Sequence, residues 1–119
     1  KKQLSNVFLK QASNFLKTKK YADAVEAALK CNEYVANPSA LQIAGQASKL
    51  GGKNNDAIKY FTDYLEAAPT AKNAGQIAYT VGALYQQAGN NSKAKEFYQK
   101  AISDPKYGAE AKKLFDALK

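Results

Sequence analysis

The stretch "YQQAGNNSKAKEFYQKAISDP", running from Tyr85 to Pro105, decides the fold. It has a Gly-Asn turn near its start and apolar residues at helical spacing on both sides. A similar phrase, "KLGGKNNDAIKYFTDYLEAAP", runs from Lys49 to Pro69. A chain that says the same thing twice is built from copies of one unit. The copies align on three small residues, Ala24, Ala57 and Ala94, spaced by 33 and 37. Twelve positions earlier stand Ala12, Gly45 and Gly82; seven positions later stand Cys31, Tyr64 and Ala101.

A turn precedes each anchor: "TKKYADA", "GGKNNDA" and "GNNSKA". Each turn splits its unit into two segments, and both segments have a helical period. Ile77, Val81, Leu84, Tyr85 and Ala88 fall on one stripe, as do Ala94, Phe97, Tyr98, Ala101 and Ile102. Strand-like alternation is absent. Asn37-Pro38 sets a cap and a first-turn proline for the second unit. Pro69 and Pro105 end the helices before them. The extra residues "APTAKNAG" lengthen a loop or add a turn to the fifth helix.

The small residues have a steric purpose. Helices cross closely only where contacting side chains are short. Ala12 is expected to meet Ala24, Gly45 to meet Ala57, and Gly82 to meet Ala94, with Phe15, Phe61, Tyr85 and Tyr98 filling the space around them. The tail, "KYGAEAKKLFDALK", reads as a capping helix. Tyr107, Ala111, Leu114, Phe115 and Leu118 form its apolar stripe; Lys112, Lys113, Asp116 and Lys119 face out. The N-terminal end has no such cap.

Composition bounds the function. With 119 residues, 45% of them hydrophobic and 24% charged, the chain fits one soluble domain. It opens "KKQLSNVFL", without initiator Met or signal-peptide pattern, as a processed or trimmed chain does. The compartment is therefore open between cytoplasm and periplasm, and the Lys- and Asn-rich composition fits a bacterial protein. No transmembrane segment is expected, and the oligomeric state cannot be read. Histidine is absent, which removes the commonest metal ligand and general base. The formal charge is +8, all of the positive charge is lysine, and seven of the lysines lie in the first 30 residues. Lysine without arginine suits weak, salt-sensitive attraction better than base reading.

The pattern resembles the tetratricopeptide repeat, a helix-turn-helix unit of about 34 residues. The third copy matches through Gly82, Tyr85, Gly89, Ala94, Tyr98 and Ala101, and the second through Gly45, Gly52, Ala57, Phe61 and Pro69. The second departs at Ser48, where an aromatic is usual, and at Tyr64. The first keeps Ala12, Phe15, Ala24 and Cys31, with Ala28 in place of the second aromatic. The resemblance implies an all-α, right-handed superhelical array of antiparallel helix pairs (an α-solenoid) with about seven helices. Repeats are expected over about 5–37, 38–71 and 75–105, with the cap over about 106–119, as one domain.

Candidates for chemistry give way to plainer readings. "GQASKLGGKNN" from Gly45 has the wrong glycine spacing for a phosphate loop and reads as a helix end. Cys31 has no histidine to activate it and reads as buried structure. The carboxylates sit among lysines on helix surfaces, so neither a metal cluster nor an acid/base pair is expected. Asn90-Asn91-Ser92 forms a glycosylation triplet at a turn, a pattern common by chance. No enzyme and no cofactor are expected.

What remains is a surface. The resemblance implies that the first helix of each pair lines a concave groove for a peptide or partner protein. Carried over, its positions are Asn6, Leu9, Lys10, Ser13 and Lys17, then Ser39, Gln42, Gln46 and Lys49, then Gln76, Tyr79, Thr80, Ala83, Gln86 and Gln87. The family's carboxylate clamp is not expected, because its positions hold Leu9, Ser13, Ile43, Gln76 and Thr80. Lys10 and Asn14 have the clamp's separation but sit one residue off phase. The expected function is a non-catalytic scaffold or adaptor. The alternative is a module for nucleic acid or another anionic polymer, disfavoured by the lack of arginine and of exposed stacking rings.

Overall fold

Three turns repeat one backbone device. In the computed structural model, which describes residues 2–118, Lys20, Lys53 and Asn90 donate their N–H groups to the carbonyls of Phe15, Ser48 and Tyr85, at 2.8, 2.8 and 2.9 Å. Lys19, Gly52 and Gly89 donate to Leu16, Lys49 and Gln86, at 3.2, 3.1 and 3.0 Å. This paired closure is the Schellman motif, which satisfies the last carbonyls of a helix and needs a left-handed residue just past its end. Lys19, Gly52 and Gly89 have φ of 65°, 82° and 84°. The carbonyls of Lys20, Lys53 and Asn90 then accept from Ala24, Ala57 and Ala94, which starts the next helix. One residue thus closes each first helix and opens each second.

The helices are α1 (Lys2–Lys17), α2 (Tyr21–Tyr34), α3 (Pro38–Leu50), α4 (Asn54–Ala67), α5 (Ala74–Gln87), α6 (Asn91–Ala101) and α7 (Gly108–Ala117). The chain divides into two compact units, Lys1–Ala67 and Ala68–Lys119. The first holds α1 to α4 and the second α5 to α7. No strand occurs among the described residues, and no helix there is long and apolar enough to cross a membrane.

In the first unit α1 packs on α2, α2 on α3 and α3 on α4, and α1 also reaches α3. Asn37 caps α3, its side chain accepting from the Ser39 N–H at 2.9 Å, with Pro38 in the first turn. Ser5 is buried at the first crossing, where its hydroxyl donates to the Cys31 carbonyl at 3.1 Å and lies 3.2 Å from the thiol. Cys31 is fully buried, as the sequence implies.

At the crossings the glycines lie directly under aromatic rings, and Gly82 also meets the Ala94 backbone as expected. A Cβ built on Gly45 would lie 2.6 Å from Cδ1 and Cε1 of Phe61, its nearest neighbours. On Gly82 it would lie 2.7 Å from the Tyr98 ring and 3.2 Å from the Ala94 carbonyl. In each case the glycine is a seat for a ring sixteen residues on, and Phe61 and Tyr98 are almost fully buried. The first hairpin solves the same problem with smaller parts. Ala12 and Ala28 occupy the matching positions, both at 0% exposure. The seat gains a methyl and the ring is lost. Phe15 and Tyr85 are only half-buried.

In the second unit α5 packs on α6 and α6 on α7. Residues 68–73 form a lengthened loop, so the extra residues do not extend α5. Ala88, placed on the apolar stripe by its spacing, is exposed at the C-cap of α5, because the helix has already ended. α6 stops at Ala101, short of Pro105, and Asp104 shapes the turn that follows. Its Oδ2 accepts from the N–H groups of Lys106 and Tyr107 at 3.0 and 2.7 Å. α7 buries Ala111 and half-buries Leu114 and Phe115, with the Lys95 ammonium 4.9 Å from the Phe115 ring centroid. Lys112, Lys113 and Asp116 are exposed; Lys119 lies outside the described residues.

Lys19 holds a conformation that costs an L-residue about 1–3 kcal/mol. Glycine would remove that strain but lose more entropy on folding, by roughly 0.5–1 kcal/mol. Lys19→Gly is therefore expected to stabilise the chain by about 1 kcal/mol, read as a higher urea midpoint at unchanged slope. A lower midpoint would show that the lysine side chain contributes more than its backbone costs.

Candidate functional site

A broad, open depression in the first unit lies across α1 and α3. It measures about 590 Å³ and is lined by Asn6, Leu9, Lys10, Ser13, Asn14, Lys17, Ser39 and Ile43. Asn6, Lys10, Ser13 and Lys17 follow one another at helical spacing, which is why a single helix can present all four. Leu9 and Ile43 are half-buried and form an apolar floor; Asn6, Lys10, Asn14 and Lys17 are exposed above it. No carboxylate is among the lining residues. Lys10 and Lys17 are in no ion pair among the described residues, so their charge is uncompensated there. Amides and hydroxyls here can both donate and accept, which suits a peptide backbone.

The sequence-derived positions divide accordingly. Those from α1 come together, joined by Ser39. Asn14, which the sequence set off phase, lines the same depression beside Lys10. Gln42, Gln46 and Lys49 lie on α3 outside that lining, with Gln42 half-buried and the other two exposed.

The second unit presents its own surface on α5, and part of it is already engaged. The Tyr98 hydroxyl donates to Gln86 Oε1 at 2.7 Å, and Thr80 donates to the Gln76 carbonyl at 3.0 Å. Gln76 and Gln87 are exposed and Ala83 is half-buried. Tyr79 packs within an aromatic cluster. Its ring lies 5.8 Å from that of Tyr98 and 5.4 Å from that of Tyr107. Burial raises the pKa of the Tyr79 phenol above its ordinary value, with Glu110 and then Tyr107 adding to the effect. Burial likewise raises that of Tyr98, with Tyr79 and Glu110 adding to it. Both phenols therefore stay protonated donors beyond neutral pH.

Among the described residues no three His, Cys, Asp or Glu side chains group as metal ligands would. The side chains of the α1–α3 depression can bind by hydrogen bonds and charge, and those on α5 by hydrogen bonds.

Antiparallel helix pairs that share one repeated turn define a fold of helix-turn-helix repeats. Residues 75–103, which contain α5, α6 and their turn, match the model of the tetratricopeptide repeat family. Among solved structures, the chain is similar to the complex of the TPR2AB domain of yeast Sti1 with pHSP90. The TM-score is 0.74 at 18% identity, over 97% of this chain and 48% of that one. The chain thus spans about half the length of the solved chain it matches. No curated protein matches the sequence. The third hairpin thus matches a tetratricopeptide repeat, and the chain has the fold of a tetratricopeptide repeat protein.

Proposed function

We propose that this chain is a non-catalytic interaction module whose first-unit depression holds an extended segment of a partner protein. The observation that carries the reading is the depression itself: an apolar floor, a rim of amides and hydroxyls, and two unpaired lysines. The similar yeast domain was solved in complex with pHSP90, which supports a protein or peptide as the partner class. Asn6, Lys10, Ser13 and Lys17 are the main contacts of this reading. Gln42, Gln46 and Lys49 on α3, and Gln76, Tyr79, Thr80 and Gln86 on α5, are candidate contacts of secondary weight.

The nucleic-acid alternative finds little to stand on. Base binding without sequence preference needs free aromatic faces beside cations. Here Phe8 stacks on Tyr34 and Tyr85 on Phe97, while Tyr79 packs at a tilt against Tyr98 and Tyr107.

Peptides selected from a displayed library against the immobilised chain are expected to be rich in Asp and Glu. The double variant Lys10→Glu, Lys17→Glu should weaken them by about tenfold or more, with most of the loss erased at high salt. Equal binding by that variant would remove the depression from the reading.

A further inference from the structure

The first hairpin carries an open groove on a second side. It measures about 210 Å³ and lies between α1 and α2. Phe8, Gln11 and Phe15 line it from one helix, and Asp23, Glu26, Ala27 and Lys30 from the other. None of these residues lines the α1–α3 depression. The α1 side continues as a stripe, since Leu4, Phe8, Gln11 and Phe15 fall at i, i+4, i+7 and i+11. Leu4 is 48% exposed, and Val7 beside it 50%. Phe8 stacks on Tyr34 with 5.7 Å between ring centroids, and Tyr34 is itself 42% exposed. The stripe is about 16 Å long at about 1.5 Å per residue, the length of about three helical turns. Elsewhere the chain covers such a face with a helix: α7 packs on α6, with Leu114 and Phe115 half-buried.

Charge decides what kind of helix fits. Residues 1–37 contain three carboxylates, Asp23, Glu26 and Glu33, and all three lie exposed on α2. Their spacing, with Lys30, is that of one helix edge beside the groove. Lys30 is already engaged there, its ammonium 3.5 Å from Glu26 Oε1 and 5.8 Å from the Phe8 ring centroid. Asp23 and Glu33 are in no ion pair among the described residues. Lys10 and Lys17 line the depression instead. A molecule with a formal charge of +8 thus keeps one anionic, partly apolar groove. An apolar helix flanked by cations gains both kinds of contact there, whereas an acidic segment is repelled. We propose that the α1–α2 groove docks a basic amphipathic helix of a partner protein. Its apolar side lies on Leu4, Val7 and Phe8, and its cations lie along Asp23, Glu26 and Glu33.

The chain contains no Trp, so a Trp-bearing helix reports its own burial. The probe is the acetylated, amidated peptide Lys-Leu-Ala-Lys-Leu-Trp-Ala-Lys-Leu-Leu-Ala-Lys, whose lysines flank one apolar stripe. Its emission is expected to shift to the blue on the wild-type chain. Asp23→Lys with Glu26→Lys should weaken it by about tenfold or more, with most of the loss erased at high salt. Leu4→Gln with Val7→Gln removes apolar area alone and should weaken it about tenfold at low and high salt alike. Lys10→Glu with Lys17→Glu should not weaken it, which separates this groove from the depression. Undiminished binding to either folded groove variant overturns the proposal. So does equal binding of a probe with Glu in place of every Lys, or of a scrambled probe of the same composition. Should neither variant fold, those two probes decide. Sedimentation of the chain alone tests the other occupant. A dimer that Leu4→Gln with Val7→Gln dissociates would assign the groove to a second copy and overturn the proposal too.

Discussion

Phe61→Ala is expected to cost about 3–5 kcal/mol, a large share of the 5–15 kcal/mol or so that holds a small domain folded. Phe61 is 2% exposed, and its ring lies over Gly45 at a distance no Cβ would tolerate. Removing the ring opens a cavity at a crossing held apart by other contacts. Gly45→Ala alone should cost about 1–3 kcal/mol by overpacking, because the buried ring has no room to yield. The informative variant combines the two. Ala at both positions recreates the pair that the first hairpin uses, Ala12 and Ala28, each fully buried. The double variant should therefore lose less than the sum of the singles, with a coupling of about 1–3 kcal/mol. Urea unfolding of all three variants, with hydrogen exchange to localise the loss to α3 and α4, measures it. Strict additivity would show that glycine and ring do not share one space.

The same pair shows how far the sequence could be read. Periodicity and the spacings of 33 and 37 identify seven helices and their turns, because burying one face of a helix forces apolar residues onto a fixed period. Asn37-Pro38 gave its cap plainly, since that pattern has one local meaning. Partnering across a crossing is another matter. Gly45 and Phe61 are sixteen residues apart, and nothing local marks which small residue receives which ring. Ala28 looked like a lost aromatic; only the packing shows that Ala12 already fills the space. Lys19 was hidden for a different reason. Lysine has no turn preference, and its left-handed backbone is imposed by the hairpin closing around it. For the candidate site, α1 was legible because helical spacing alone aligns Asn6, Lys10, Ser13 and Lys17. Asn14 joined them because α3 brings Ser39 and Ile43 alongside α1, a tertiary fact.

Gly108→Ala should rival Phe61→Ala in effect, although it adds only one methyl group. Gly108 opens α7 and is buried. A Cβ there would collide with the carbonyl oxygen of Ile102, and would lie 3.1 Å from the Ile102 carbonyl carbon. The obstacle is backbone, so no rotamer change can relieve it. Gly75 makes the natural control. Its added Cβ would lie 2.5 Å from the Cβ and 2.6 Å from Oδ1 of Asp104, a loop residue whose carboxylate must rotate away and whose Cβ must shift with its backbone. That movement would give up the carboxylate's hydrogen bonds to Lys106 and Tyr107, a loss of about 1–2 kcal/mol, comparable to a helix cap. Relief at Gly108 requires α7 to shift on α6, disturbing Ala111 and the Lys95–Phe115 contact. The expected cost is about 3 kcal/mol or more, the upper range for overpacking. Because the damage is local, amides of α7 should exchange fast while those of α1 to α4 keep their protection. Limited proteolysis should cut near residues 106–108 in Gly108→Ala before it does so in Gly75→Ala. If Gly108→Ala unfolds at the wild-type midpoint and keeps α7 protected, α7 is not held by that close approach to α6.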